Sequence, residues 1–111
     1  MTRSKIIAID FDGTLVTNEY PGIGAPIETT IMALRREQAR GAKVILWTCR
    51  VGAHLDAAVK WCADHDIHLD AVNANLPEIV NAFGGDTTKV FAHEYWDDRA
   101  VNVKDIWRDD S

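Results

Sequence analysis

Long hydrophobic runs are missing from this sequence. The apolar stretch nearest its start, Ile6-Ile7-Ala8-Ile9, has four residues, too few for a signal-peptide core or a membrane span. Cysteine is scarce: Cys49 and Cys62 are the only two, which does not make a disulfide framework. Placed at an expected strand end and on an expected helix face, they read as reduced thiols, and the cytoplasm is the expected location. Positive charge is in the minority. A formal net charge of −5 gives a surface that does not attract nucleic acid or anionic lipid as a whole, though a local basic patch still could. Repeats, low-complexity tracts and linkers are also absent. What remains is an ordinary globular balance, 47% hydrophobic and 26% charged over 111 residues. That suits one compact domain over 1–111, with no room for a second.

The chain alternates between two periodicities. Lys5–Asp10 is an apolar, β-branched run ending in an acid and reads as a buried strand. Residues 13–26 hold Gly13, Pro21, Gly22, Gly24 and Pro26, so they form turn and loop. Pro26 suits a first helical turn; Ile27, Ile31, Leu34 and Ala39 then recur at helical spacing until Gly41. Lys43–Thr48 is a second buried strand, and 53–66 a second helix with Leu55, Ala58, Val59 and Cys62 on one face. Ile67–Val72 reads as a weaker strand, Pro77–Phe83 as a short helix, and Val90–Trp96 as a last strand. Such alternation implies an α/β, three-layer Rossmann-like domain with a parallel central sheet. Ligands of such sheets bind beyond the carboxyl ends of the strands.

Three of those ends carry chemistry. Asp10-Phe11-Asp12-Gly13-Thr14 closes the first strand, Thr48 the second, and Asp97-Asp98 the last. Asp10 and Asp12 stand two apart, and Gly13 permits the sharp turn that lets both carboxylates meet at the tip. Hard oxygen ligands of this kind suit Mg²⁺, and the set suits phosphoryl transfer. One carboxylate can act as nucleophile through an aspartyl-phosphate while another moves the proton. The four histidines share no metal-ligand spacing; His54 alone follows the Thr48–Arg50 loop closely.

Asp10-Phe11-Asp12-Gly13-Thr14-Leu15 resembles the first signature of the haloacid dehalogenase-like phosphatases. Val44-Ile45-Leu46-Trp47-Thr48 resembles their second, and Tyr95-Trp96-Asp97-Asp98 their fourth, all in the family's order over about residues 5–99. The resemblance implies Asp10 as nucleophile and metal ligand. It implies Asp12 as general acid/base, binding metal through its backbone carbonyl, and Thr48 as a holder of the phosphoryl group. It makes Asp97 a direct Mg²⁺ ligand, with Asp98 binding the ion through water or supporting its surroundings. Gly13, Thr14, Arg50 and Asn73 join Thr48 as expected phosphate contacts, and residues 14–25 match the family's flap. The family's third signature, a basic residue, has no plain counterpart. Lys89 precedes the last motif, but eight extended residues would put it about 26 Å from Asp97. The strand before it ends near the amides Asn73 and Asn75. Arg50 is therefore the better candidate, with Arg99 another.

No cap domain fits this length, so the fold is expected to be capless and its site open. That suits a phosphorylated substrate as large as a protein or a nucleic-acid end, a nucleotide, or a homo-oligomer whose neighbour acts as lid. Neither a membrane nor nucleic acid other than as substrate is expected as partner. The competing reading is a catalytically weak or inactive module that binds metal or a partner. A receiver-like domain also gathers acids at strand tips, but Asp-x-Asp-Gly-Thr is not its pattern.

Overall fold

The computed structural model describes residues 4–107. Its elements are β1 (Ile6–Ile9), α1 (Glu28–Ala39), β2 (Lys43–Leu46), α2 (Gly52–Asp64), β3 (Ala71–Val72), α3 (Pro77–Phe83), β4 (Glu94–Trp96) and α4 (Val103–Trp107). The four strands form one sheet in the order β3-β2-β1-β4, and every pairing in it is parallel.

The order of the strands dictates the layers. From β1 the chain steps to β2 and then β3 in one direction, through α1 and α2. Right-handed crossovers put both helices on one face. From β3 it returns across the sheet to β4, so α3 covers the other face. The burial follows this division. Ile7 and Ile9 of β1 pack with Ile31, Leu34, Ala58 and Cys62 of α1 and α2. Ile6 and Ala8 point the other way and pack with Ile45, Leu76 and Ile79. Strand β1, buried on both faces, has no exposed residue, as an interior strand of a parallel sheet requires.

Several element ends differ from the sequence expectation. Pro26 lies outside α1; it forms an antiparallel bridge with Val16 instead, and Ile27 is the N-cap residue. Strand β3 keeps only Ala71 and Val72 of the expected 67–72 run. Strand β4 keeps only Glu94–Trp96 of the expected 90–96 run, because side chains take over the backbone bonds before it. The Phe91 N–H donates to the Asn75 side-chain oxygen at 2.7 Å. The Tyr95 hydroxyl donates to the Val90 carbonyl at 2.6 Å and accepts from the Ala92 N–H at 3.2 Å. Asn75, one of the few buried polar residues, also donates to Asp86 and Thr87. It therefore ties the 86–91 loop to the start of α3. Helix α3 runs as expected, from Pro77 in its first turn to Gly84 in the left-handed conformation at its end.

Leu34 is fully buried in the α1 face of the core, whereas Met32 on the same helix is 59% exposed. Leu34→Ala should cost about 2–5 kcal/mol of unfolding free energy through lost burial and the cavity left behind. Met32→Ala should stay within about 0.5 kcal/mol. Urea titration followed by circular dichroism measures both.

Candidate functional site

The sheet reverses its winding at β1: β2 continues on one side, and β4 arrives from the opposite side of the fold. Open α/β sheets bind ligands beyond the carboxyl ends of their strands at such a reversal. Two backbone bonds past the strand ends fix what gathers there. The Trp47 N–H donates to the Ile9 carbonyl at 2.8 Å, and the Asp10 N–H donates to the Trp96 carbonyl at 2.9 Å. Asp10 is thus gripped between the tips of β2 and β4, with Thr48 one residue beyond on one side and Asp97 directly beyond on the other. A cleft of about 600 Å³ opens here, lined by Asp10, Asp12, Asn18, Tyr20, Thr48, Cys49, Arg50, Asp97, Asp98 and Arg99.

Three of the acids are close enough to share one ion. Carboxylate oxygens of Asp10, Asp97 and Asp98 lie within 4.8 Å of one another. An all-oxygen donor set of three carboxylates fits a hard divalent cation such as Mg²⁺, with waters filling the remaining positions. Gly13 makes the approach of Asp98 possible. It has φ +85°, and a Cβ there would collide with the Asp98 carboxyl group. A side chain at position 13 would both strain the backbone and push the Asp98 carboxyl group aside.

Asp10 feels this crowding. Half-burial pushes its carboxyl group up from 3.8 to about 6, with Asp97, Asp98 and Asp12 adding repulsion. A 2.7 Å bond from the Phe11 N–H to Asp10 Oδ1 works the other way and only partly offsets this.

Arg50 is 1% exposed and spends all five of its N–H donors inside the protein. Nε donates to Asp12 Oδ2 at 2.8 Å, and Nη2 to Asp12 Oδ1 at 2.7 Å, a forked ion pair. Nη2 also donates to the Gly22 carbonyl at 2.7 Å. Nη1 donates to the carbonyls of Pro21 and His54 at 3.2 and 3.3 Å. The guanidinium pKa rises, chiefly through the Asp12 hydrogen bonds. Arg50 therefore has no donor left over for phosphate in this arrangement. Arg99 differs: it borders the cleft, and its guanidinium has no hydrogen-bond or ion-pair partner among the described residues. Lys89 is not in the cleft. Its ammonium lies 5.8 Å from the Tyr95 ring centre. The distance argument from a seven-residue strand does not apply to it, since 90–93 is not strand.

The other expected phosphate contacts are placed one step back. The Gly13 N–H donates to Val16. Thr14 is buried, its hydroxyl without a partner among the described residues. Thr14 lines a separate shallow hollow beside Thr29 and Thr30 of α1. Asn73, at φ +50°, accepts the Thr48 N–H at 2.8 Å and so holds the Thr48 loop rather than the cleft wall. Thr48 Oγ1 accepts the Arg50 N–H at 3.2 Å, which leaves its own O–H free to donate. Sequence reasoning did not single out Asn18, Tyr20 or Cys49 as site residues. Tyr20 carries a contact signal only in three dimensions: its ring lies 5.1 Å from the Arg50 guanidinium and edge-on to His54.

No family model matches the chain, and no curated protein does either. Among solved structures it is similar to one described as a conserved protein coded by a locus of Bacteroides thetaiotaomicron. The two are 34% identical, with a TM-score of 0.78 over 96% of this chain and 88% of that one.

Because the Asp10 pKa is raised on folding, its ionisation weakens the fold as pH climbs from 3.8 to about 6. In EDTA at pH 7.5, Asp10→Asn should therefore raise the thermal midpoint by roughly 2–6 °C. The gain should shrink as pH falls through that window and vanish below it. Thermal unfolding at a series of pH values checks both the sign and the window.

Proposed function

We propose that this chain, which belongs to the family of that conserved Bacteroides thetaiotaomicron protein, is a Mg²⁺-dependent phosphatase of the haloacid dehalogenase-like type. The observation that carries this reading is the convergence of Asp10, Asp12, Thr48, Asp97 and Asp98 on one cleft at the point where the sheet reverses. The three sequence signatures that resemble that family are the ones that supply these residues.

In this reading Asp10 attacks the phosphorus atom of a phosphate monoester. The bond from phosphorus to the leaving oxygen breaks, and Asp12 delivers a proton to that oxygen. Asp12 then takes a proton from the water that attacks the aspartyl-phosphate, which releases inorganic phosphate and restores Asp10. A carboxylate has about four acceptor positions, so the Arg50 fork leaves Asp12 room to exchange a proton. The Thr48 O–H donates to a phosphoryl oxygen. Asp10, Asp97 and Asp98 would hold Mg²⁺, whose charge would offset repulsion between anionic nucleophile and anionic phosphate. Arg99, with an unengaged guanidinium at the rim, meets the phosphate or its ester group.

All described elements belong to the sheet, its covering helices, the 14–25 flap or the segment after β4. The cleft is therefore open, which suits a phosphate on a bulky carrier such as a protein or a nucleic-acid end. None of the described helices is long and apolar enough to cross a membrane; a cytoplasmic setting is part of the proposal. One observation favours a second reading, a metal-binding module of low activity: Arg50 is fully spent, so Arg99 is the one cation bordering the cleft with unengaged donors among the described residues.

Hydrolysis of an aryl phosphate with Mg²⁺ separates the two. Turnover should stop in EDTA and fall at least about 1,000-fold in Asp10→Asn. Equal rates in the wild type and this variant sink the nucleophile assignment. Absent turnover together with Mg²⁺-dependent thermal stabilisation selects the binding module. Arg99→Ala should raise KM about tenfold, the loss of one charged hydrogen bond; an unchanged KM rules out its contact with substrate.

A further inference from the structure

The chain between Thr17 and Ala25 loops out and returns. Its neck is closed by the Thr17 N–H donating to Ala25, by Ala25 N–H donating to Thr17 Oγ1 at 2.9 Å, and by the Val16–Pro26 bridge. Beyond that neck the loop tip has one internal bond, from the Tyr20 N–H to Asn18 at 3.4 Å. Its hydrogen bonds to the rest of the molecule, among the described residues, run through Arg50, which takes the carbonyls of Pro21 and Gly22 and lies against the Tyr20 ring; that ring also meets His54 edge-on. The same guanidinium grips both oxygens of Asp12, takes the His54 carbonyl in the first turn of α2, and lies 5.0 Å from the centre of the Phe11 ring.

One buried side chain thus joins three things that no backbone bond joins: the loop tip, the Asp12 carboxylate and α2. We propose that Arg50 is a positioning residue that sets the Asp12 carboxylate and the 18–24 loop tip as a single unit, and that it is not the phosphate ligand. The role of Asp12 in this statement rests on the phosphatase reading; the link between loop and carboxylate does not. A planar, five-donor group is what the geometry uses. Lysine keeps the charge but offers three donors from one atom, so it cannot hold the fork and three carbonyls together.

The test uses the full chain with Mg²⁺ and four variants: Arg50→Lys, Asp12→Ala, Asp12→Asn and the Arg50→Lys/Asp12→Asn double variant. Hydrogen exchange of the 18–24 amides should speed at least about tenfold in Arg50→Lys, while protection of β1 and β2 is kept. In the same variant, kcat for an aryl phosphate should fall about 100-fold with KM within about threefold, the pattern of a misplaced acid/base rather than a lost phosphate contact. Adding Arg50→Lys to Asp12→Asn should cost little more than Asp12→Asn alone, since both act through one carboxylate. A raised KM with kcat unchanged would overturn the proposal in favour of phosphate binding. Unchanged loop exchange would overturn the loop link. Should Arg50→Lys fail to fold, Asp12→Ala decides: it removes the anchor of the guanidinium, so the same amides must loosen, and protection equal to wild type refutes the link. If wild type shows no turnover, the phosphatase reading falls, and the exchange measurements still judge the link by themselves.

Discussion

Repulsion among carboxylates at the tip of β1 is the constraint around which the rest of this structure is arranged. Asp10, Asp97 and Asp98 bring their oxygens within 4.8 Å of one another, and Asp12 stands close enough to raise Asp10 further. Like charges that close cost folding free energy, more so where half-burial weakens the screening by water. The fold tolerates the cluster through separate devices. Asp12 is neutralised by the Arg50 fork. Asp10 takes the Phe11 N–H, and Asp97 accepts the Arg99 backbone N–H at 2.9 Å. Those bonds leave negative charge at the cleft uncompensated, and under the proposed function that charge would attract a cation.

The fold serves this crowding by topology. A strand flanked by parallel neighbours on both sides can be wholly apolar, as Ile6–Ile9 is, and so delivers its next residue to a fixed point. The winding changes direction at β1, and among the described residues none that belongs to a helix lines the cleft at the tips of β1 and β4. The 14–25 loop rises beside that cleft, and the Arg50 guanidinium, packed between the Phe11 and Tyr20 rings, ties the loop to it. Stability and site placement therefore draw on the same residues. Phe11, edge-on to Trp61 in the main core, sits directly between Asp10 and Asp12.

How far the sequence revealed this depended on the kind of signal. Buried strands and strand-tip acids announce themselves, since apolar β-branched runs have few other uses and Asp-x-Asp-Gly marks a sharp turn. That is why β1, β2, α3 and the acidic cluster were legible from residues alone. The length of β4 was not, because side chains decide it: the Asn75 oxygen and the Tyr95 hydroxyl take backbone groups that a ladder would have used. Pro26 misled for a related reason. Its fixed φ suits a first helical turn, but it suits a bridge position as well, and pairing with Val16 settled the choice. The partners of Arg50 were hidden most completely. Three of them are backbone carbonyls, which carry no residue-type signal at all.

That hidden network changes the meaning of the positive charge in this chain. An arginine two residues past a threonine expected to hold phosphate suggests an arginine that grips phosphate too. Burial and donor count lead elsewhere. A guanidinium with 1% exposure and five satisfied donors has given up its freedom to meet a ligand, and removing any one acceptor would leave a buried charge short of partners. The charge facing a ligand must then come from a residue that keeps its donors in water, and Arg99 at the rim meets that condition. An exposed guanidinium binds more weakly and is more easily screened than a buried one. Under the proposed function, a cleft equipped this way would gain its hold on an anion from a cation held by its acids more than from its own basic side chains.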